Sequence, residues 1–128
     1  MSKEGPTRLS DADISDIRPA PDQGITKLVR AIRGRGYTTM GSCEGGLGES
    51  GHPRSFPWVT VYGVGFEDDP THQQITARLR EFNQNSDVRW TNDWAAVRPE
   101  EAASNQEELR RLQASADKLA DFLFDEYV

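Results

Sequence analysis

The segment Trp58-Val59-Thr60-Val61-Tyr62-Gly63-Val64-Gly65-Phe66 predicts a β-strand. Its β-branched and aromatic residues fit the pleated surface of a sheet. Apolar side chains occupy both alternating faces, so we expect this strand to be central in the sheet. Gly63 and Gly65 indicate a bulge or a close approach of another part of the backbone.

The segments on either side predict one small sheet with helices packed on it. Two further strands are expected at 37–43 and 88–97, and helices at 10–17, 24–35, 70–83 and 105–125. The order is (α)-α-β-β-α-β-α, which predicts the α/β class, with α+β as the alternative, and a sheet of three to four strands. We expect the strands at 58–66 and 88–97 to form a βαβ unit with a right-handed crossover.

Two helix starts are recognisable. Asp69 followed by Pro70 is typical of a capping residue and the first helical position. The run Ser104-Asn105-Gln106-Glu107 predicts a capping box. Behind it, apolar residues recur at helical spacing, which indicates a stripe facing the core or a partner: Leu109, Leu112, Ala116, Leu119 and Leu123.

Length and composition predict a single domain over residues 1–128, with a flexible N-terminus at 1–8 and a long glycine-rich loop at 44–57. No segment approaches the roughly 18 consecutive apolar residues of a membrane-spanning helix. The N-terminus lacks the apolar region of a secretory signal. Cys43 is the only cysteine, which excludes an internal disulfide framework. We therefore expect a cytoplasmic protein.

The charge is negative overall and unevenly distributed. The net charge is −6 and the isoelectric point is about 4.9, which argues against binding of duplex DNA. Residues 25–66 nevertheless carry five basic and two acidic side chains, whereas residues 99–128 carry three basic and eight acidic ones. The positive segment contains the glycine-rich loop, and a local positive field favours a small anion over a long polyanion.

The glycine-rich loop is the predicted site. Gly46-Leu47-Gly48-Glu49-Ser50-Gly51 matches the pattern G-x-G-x-x-G, but Pro53 and Pro57 prevent the helix that a dinucleotide site needs. Glycines instead allow successive backbone N–H groups to form an anion-holding concavity. The predicted ligand-binding residues are Ser42, Cys43, Glu44, Gly45, Gly46, His52, Arg54 and Arg33.

Cys43 has three interpretations. It is a small buried residue at the end of a strand, a ligand-lining residue without chemistry, or a nucleophile. A nucleophile needs a neighbouring base or cation, for which His52, His72 and Arg54 are candidates. The spacing of cysteine and histidines matches no zinc pattern, so no metal is predicted.

The three tryptophans and the arginines of the helix at 24–35 each have two interpretations. Trp58, Trp90 and Trp94 are core residues or stack a nucleobase. Arg30, Arg33 and Arg35 form a solvated helix face or contact a phosphate.

Residues 37–61 carry a family resemblance. The run Tyr37-Thr38-Thr39-Met40-Gly41-Ser42-Cys43-Glu44-Gly45, followed by Trp58-Val59-Thr60-Val61, resembles the Ser-Cys-x-Gly segment of wybutosine-synthesising tRNA methyltransferases of the third-step type. The resemblance implies methylation of a modified guanine in tRNA with S-adenosylmethionine, and places Ser42, Cys43 and Gly45 at the motif positions. The residues themselves indicate no cofactor.

Three hypotheses about function follow. The first is a small module that holds an anionic or nucleotide-like molecule in the loop after the first strand. The second is an enzyme that uses S-adenosylmethionine or Cys43 and acts on a nucleotide or RNA. The third is an acidic interaction module of the inhibitor or immunity type, with a second copy or a basic protein bound through helix 105–125.

Overall fold

The structure of the protein, a computed structural model, describes residues 23–47, 54–93 and 96–125. The predictions for residues 1–8, for the helix at 10–17, for His52 and for Trp94 lie outside these ranges. A 3-10 turn at Gln23–Ile25 leads into the first helix. The elements are α1 (Thr26–Gly34), β1 (Thr39–Cys43), β2 (Trp58–Val61), α2 (Pro70–Asn83), β3 (Trp90–Asp93), β4 (Ala96–Pro99) and α3 (Gln106–Asp125).

The four strands form one sheet in the order β1-β2-β4-β3, and each neighbouring pair is antiparallel. The described residues therefore form a small α+β domain, which confirms the predicted single sheet with packed helices. β2 lies between β1 and β4, as expected for a strand with apolar residues on both faces.

The single strand expected at 88–97 is wrong, because this region contains the two strands β3 and β4. They pair from Trp90 opposite Pro99 to Asp93 opposite Ala96. β2 and β3 run in the same direction, but β4 lies between them, so the expected βαβ unit is split by an antiparallel strand. The sequence between β3 and β4 contains no glycine or proline, the residues that normally indicate a turn.

β2 is also shorter than expected and ends at Val61. Residues 62–65 turn, and Gly63 adopts a φ of +90°. A Cβ added at Gly63 would lie 2.9 Å from Oδ1 of Asp69, so the close neighbour of this glycine is a side chain and not the backbone segment that the sequence predicts. The Asp69 carboxylate accepts the N–H of Thr71 at 2.8 Å, and Pro70 is the first residue of α2, so the predicted cap is confirmed.

The cap of α3 lies one residue later than expected. Oδ1 of Asn105 accepts the N–H of Glu108 at 2.8 Å, and the Glu108 carboxylate accepts the N–H of Ser104 at 2.7 Å. Asn105 is therefore the cap in place of Ser104, and Glu108 takes the position of Glu107 but accepts from the residue before the cap. Asparagine is as good a capping residue as serine, so the sequence is compatible with a cap at either residue.

All three helices contribute to one core on one face of the sheet. The strand residues Val59, Val61, Trp90 and Val97 belong to the same buried cluster as the helix residues. The predicted stripe of α3, from Leu109 to Leu123, is buried in this cluster, so it faces the core of its own chain. None of the helices in the described ranges is long and apolar enough to span a membrane.

Asn83 fixes the end of α2 to the edge strand β3. Its side-chain amide donates to the carbonyl oxygen of Trp90 at 2.9 Å, and its Oδ1 accepts the N–H of Trp90 at 2.8 Å. The indole N–H of Trp90 donates to Oγ of Ser115 at 2.9 Å. Backbone groups at the edge of a sheet lack a strand neighbour, and here one side chain supplies both partners.

We expect Asn83→Ala to destabilise the protein by about 1–3 kcal/mol, because both backbone groups of Trp90 lose their partners in a partly buried place. Asn85→Ala is the matched control, since Asn85 is exposed just beyond the same helix. Chemical denaturation followed by circular dichroism gives both free energies of unfolding. Equal stability of the two variants would contradict this role of Asn83.

Candidate ligand-binding site

The described ends of the glycine-rich segment are packed into the protein. The N–H of Gly45 donates to Sγ of Cys43 at 3.3 Å, and the N–H of Gly46 donates to the carbonyl oxygen of Arg54 at 3.0 Å. Both glycines are buried. Their amides therefore have acceptors inside the chain, and these two residues do not form the anion-holding concavity that the sequence predicts.

Glu44 connects three parts of the fold. Its carboxylate accepts the N–H of Gly24 at 2.8 Å, in the turn that precedes α1. Its carbonyl oxygen accepts the side-chain amide of Gln113, on α3, at 3.0 Å. A carboxylate at the start of a helix is stabilised by the exposed N–H groups and by the helix dipole. These contacts give Glu44 a role in the packing of the fold.

Cys43 is 4% exposed at the end of β1. This burial favours the interpretation of a small buried residue. His72 lies at the start of α2, where its Nδ1 is 2.7 Å from the carbonyl oxygen of Val64. Within the described ranges, no cluster of three or more histidine, cysteine, aspartate or glutamate side chains could hold a metal ion.

The other predicted site residues are dispersed. Ser42 is half-buried and lies opposite Val59 in the sheet, on the core side. Arg33 is half-buried in the last turn of α1. His52 lies outside the described residues. Of the seven predicted residues that the structure describes, only Arg54 lines the groove described next.

A groove of about 600 Å³ lies on the side of the sheet that faces away from the core. Strand alternation places Trp58 and Thr60 on this side of β2, because Val59 and Val61 face the core. In the same way, Ala96 and Arg98 occupy this side of β4. The lining residues are Arg54, Phe56, Trp58, Thr60, Ala96 and Arg98.

The register of β2 and β4 explains the shape of the groove. Thr60 pairs with Ala96 and Val59 with Val97, so the next pair brings Trp58 opposite Arg98. Directly opposite residues of antiparallel strands carry their side chains on the same face about 5 Å apart. The long side chains of Trp58 and Arg98 therefore lie next to the short side chains of Thr60 and Ala96. This difference in side-chain length makes the surface concave.

Phe56 and Arg98 lie in contact at one wall. The guanidinium carbon of Arg98 lies over the Phe56 ring at 5.3 Å from its centroid, and Nη1 donates to the carbonyl oxygen of Pro99 at 3.0 Å. A cation over an aromatic face is stabilised by about 0.5–1 kcal/mol at partly exposed sites. The two contacts restrict the orientation of this guanidinium.

Trp58 forms the other wall. Its six-membered ring lies over Gly41 of β1, where an added Cβ would be 3.7 Å from Cζ3. The indole Nε1 is buried and has no hydrogen-bond partner among the described residues. A buried donor without an acceptor is uncommon in native structures, so it marks a place where a polar partner would be stabilising.

Gly45 determines the position of Phe56. It adopts a φ of +88°, and an added Cβ would lie 2.7 Å from the carbonyl carbon of Phe56. No side chain fits this approach without a shift of the Phe56 backbone. The glycine-rich segment thus contributes to the groove by holding Arg54 and Phe56 in place.

Sequence reasoning missed four residues of the groove: Phe56, Thr60, Ala96 and Arg98. Three of them follow from strand alternation, but only if β4 is recognised as a separate strand next to β2. Phe56 carries no signal of its own, because an aromatic residue in a loop predicts neither burial nor contact.

No protein-family model, curated protein or solved structure matches this chain. The resemblance of residues 37–61 to a tRNA methyltransferase segment therefore stays a prediction. The described residues of this stretch form β1, β2 and the hydrogen bond between Gly46 and Arg54.

We expect Gly45→Ala to be more destabilising than Gly36→Ala. Both glycines have a positive φ, which costs an alanine about 1–2 kcal/mol. Nothing lies within 4 Å of a Cβ added at Gly36, whereas the Cβ at Gly45 meets the Phe56 backbone. Overpacking adds about 1–3 kcal/mol, so denaturant unfolding is expected to separate the two variants by at least about 1 kcal/mol. Equal losses of stability in the two variants would contradict this expectation, because they would show that the Phe56 backbone shifts without an energetic cost.

Proposed function

We propose that this protein is a small ligand-binding module, and that an anionic, nucleotide-like molecule binds in the groove between Trp58 and Arg98. One observation carries the proposal: two arginines and two aromatic residues line a single groove, and none of its described lining residues is acidic. The volume of about 600 Å³ lies within the roughly 300–1,000 Å³ of small-molecule sites. The proposed ligand class is the one that the sequence predicts. The proposed site is the groove on the outer face of the sheet, in place of the glycine-rich loop.

The positive charge that supports the proposal is concentrated at the groove, where Arg54 and Arg98 lie. The chain has a net charge of −6, so a positive groove is a departure from its average surface. Arg54 is exposed, and its side chain forms no hydrogen bond or ion pair within the described residues. A guanidinium presents paired donors that match phosphate or carboxylate oxygens. We therefore assign the anion to the end of the groove at Arg54.

The aromatic side chains support a ligand with a planar group. Stacking of a nucleobase on an aromatic residue contributes about 1–3 kcal/mol and tolerates any base. Trp58 is only half-buried, in contrast to Trp90, which is 1% exposed in the core. A half-exposed indole beside a guanidinium suits a base better than it suits an aliphatic anion.

The other two hypotheses have less support. The stripe of α3 is buried in its own core, so a protein partner would have to use the charged face of this helix. Cys43 is buried, and chemistry at its sulfur would need an opening of the surrounding chain. Use of S-adenosylmethionine rests on the resemblance alone.

We expect Arg54→Ala to weaken nucleotide binding at least tenfold, since a charge-assisted hydrogen bond contributes about 1.5–3 kcal/mol. Isothermal titration calorimetry with ADP, GDP, CDP and UDP measures the affinities. Arg110→Ala is the matched control, because Arg110 is an exposed arginine of α3 that does not line the groove. The proposal fails if the wild-type protein binds none of these nucleotides at millimolar concentration, or if both variants bind alike.

A further inference from the structure

We infer that Trp58 determines the specificity of the groove by stacking on the planar part of the ligand, and that Gly41 is the positioning residue that keeps the indole in its place. Arg54 provides the charge for the phosphate. This inference rests on the proposed function and adds the residues that select the ligand. It predicts a preference for nucleoside phosphates over inorganic phosphates, which a groove that recognised charge alone would not have.

The pairing of β1 with β2 places Gly41 next to the indole. Gly41 pairs with Thr60, two residues after Trp58 in β2. It is therefore the diagonal neighbour of Trp58 on the adjoining strand, a position that aromatic side chains can reach. A Cβ added at Gly41 would lie 3.7 Å from Cζ3 and 3.9 Å from Cη2 of the ring. The six-membered ring thus extends over β1 and away from β4, and this leaves the groove open.

Within the described part of the chain, packing is what holds this ring. The indole N–H of Trp58 has no hydrogen-bond acceptor among the described residues, whereas that of Trp90 donates to Oγ of Ser115. The orientation of Trp90 is therefore fixed by a hydrogen bond, and the orientation of Trp58 by its van der Waals neighbours. A side chain in a packed place shifts when a neighbour gains volume. The size of residue 41 therefore controls where the indole lies.

Part of the Trp58 ring is available to a ligand. The residue is half-buried and lines the groove. Within the described residues, no other aromatic ring and no cation stacks on it. The short side chains of Thr60 and Ala96 lie beside it, so there is space for a planar group next to the indole. A base gains affinity from such stacking, and an inorganic phosphate does not.

Gly41→Ile tests the position of the ring, and Gly41→Ala is the matched control. Gly41 is exposed and is not among the described glycines with a positive φ, so both side chains suit its backbone. The Cβ of alanine makes an ordinary contact with the indole at 3.7 Å. Isoleucine adds three carbons beyond this Cβ, which displace the ring toward β4 and into the groove. Isoleucine also favours strands, so we expect the fold to be kept.

The probes are inorganic pyrophosphate, which has no base, and whichever of ADP, GDP, CDP and UDP the wild-type protein binds most tightly. In calorimetric titrations we expect Gly41→Ile to weaken binding of the nucleotide about tenfold, the loss of one stacked base. Binding of pyrophosphate, which Arg54 holds, is expected to change less than twofold. Gly41→Ala is expected to change both affinities less than twofold.

Trp58→Leu tests the indole directly and is expected to reproduce the selective loss. If Gly41 acts through this ring, Gly41→Ile has no further effect on nucleotide affinity in a protein that already carries Trp58→Leu. A purely structural role of Gly41 would instead add its own loss in the double variant. Circular dichroism shows whether each variant keeps the wild-type fold, and Gly41→Val replaces Gly41→Ile in the same comparison if the larger residue prevents folding.

The outcomes separate the inference from the proposed function. If Gly41→Ile or Trp58→Leu weakens nucleotide and pyrophosphate equally, or changes neither affinity, the inference is overturned while the proposed function stands. A further loss in the double variant overturns the positioning role of Gly41. If the wild-type protein binds pyrophosphate as tightly as every nucleotide, the indole adds nothing and the inference is overturned. If it binds neither probe, the proposed function fails and the inference fails with it.

Discussion

The groove depends on the close approach of Gly45 to the backbone of Phe56. This approach allows the chain to leave β1, close on itself through the hydrogen bond between Gly46 and Arg54, and enter β2 in the correct register. Phe56 then lies where the Arg98 guanidinium can rest on its ring. A backbone conformation that favours glycine thus connects the first two strands to a wall of the groove.

Three hydrogen bonds from other parts of the chain stabilise the segments on either side of the Gly46–Arg54 hydrogen bond. Glu44 accepts the N–H of Gly24 and the side-chain amide of Gln113, so α1 and α3 are both attached to the end of β1. The backbone of Ala103, before α3, donates to the carbonyl oxygen of Ser55 at 2.8 Å. The glycine-rich segment is therefore part of the packing of the domain, and its contribution to binding is indirect.

The sequence was sufficient for the elements with strong periodicity and not for the site. The stripe of α3, the Asp69-Pro70 start of α2 and the central position of β2 all follow from local patterns. The hairpin of β3 and β4 does not, because the two residues that connect the strands, Trp94 and Ala95, are not types that indicate a turn. Once the hairpin is missed, Ala96 and Arg98 have no assigned neighbours, and the groove cannot be inferred. Arg54 is predicted as a site residue because a basic side chain in a loop can be recognised from the sequence. The role of Phe56 cannot be predicted in this way, because it depends on tertiary contacts.

The insertion of β4 between β2 and β3 has a consequence for dynamics. Trp58 and Arg98 become neighbours only when β2 and β4, which are distant in the chain, are paired, so a separation of these two strands moves the two walls apart. A molecule that touches both strands can bind only the paired state, and it stabilises that state by mass action. Occupancy of the groove would therefore slow the exchange of amide hydrogens in β4 with solvent, even though those amides never touch the bound molecule.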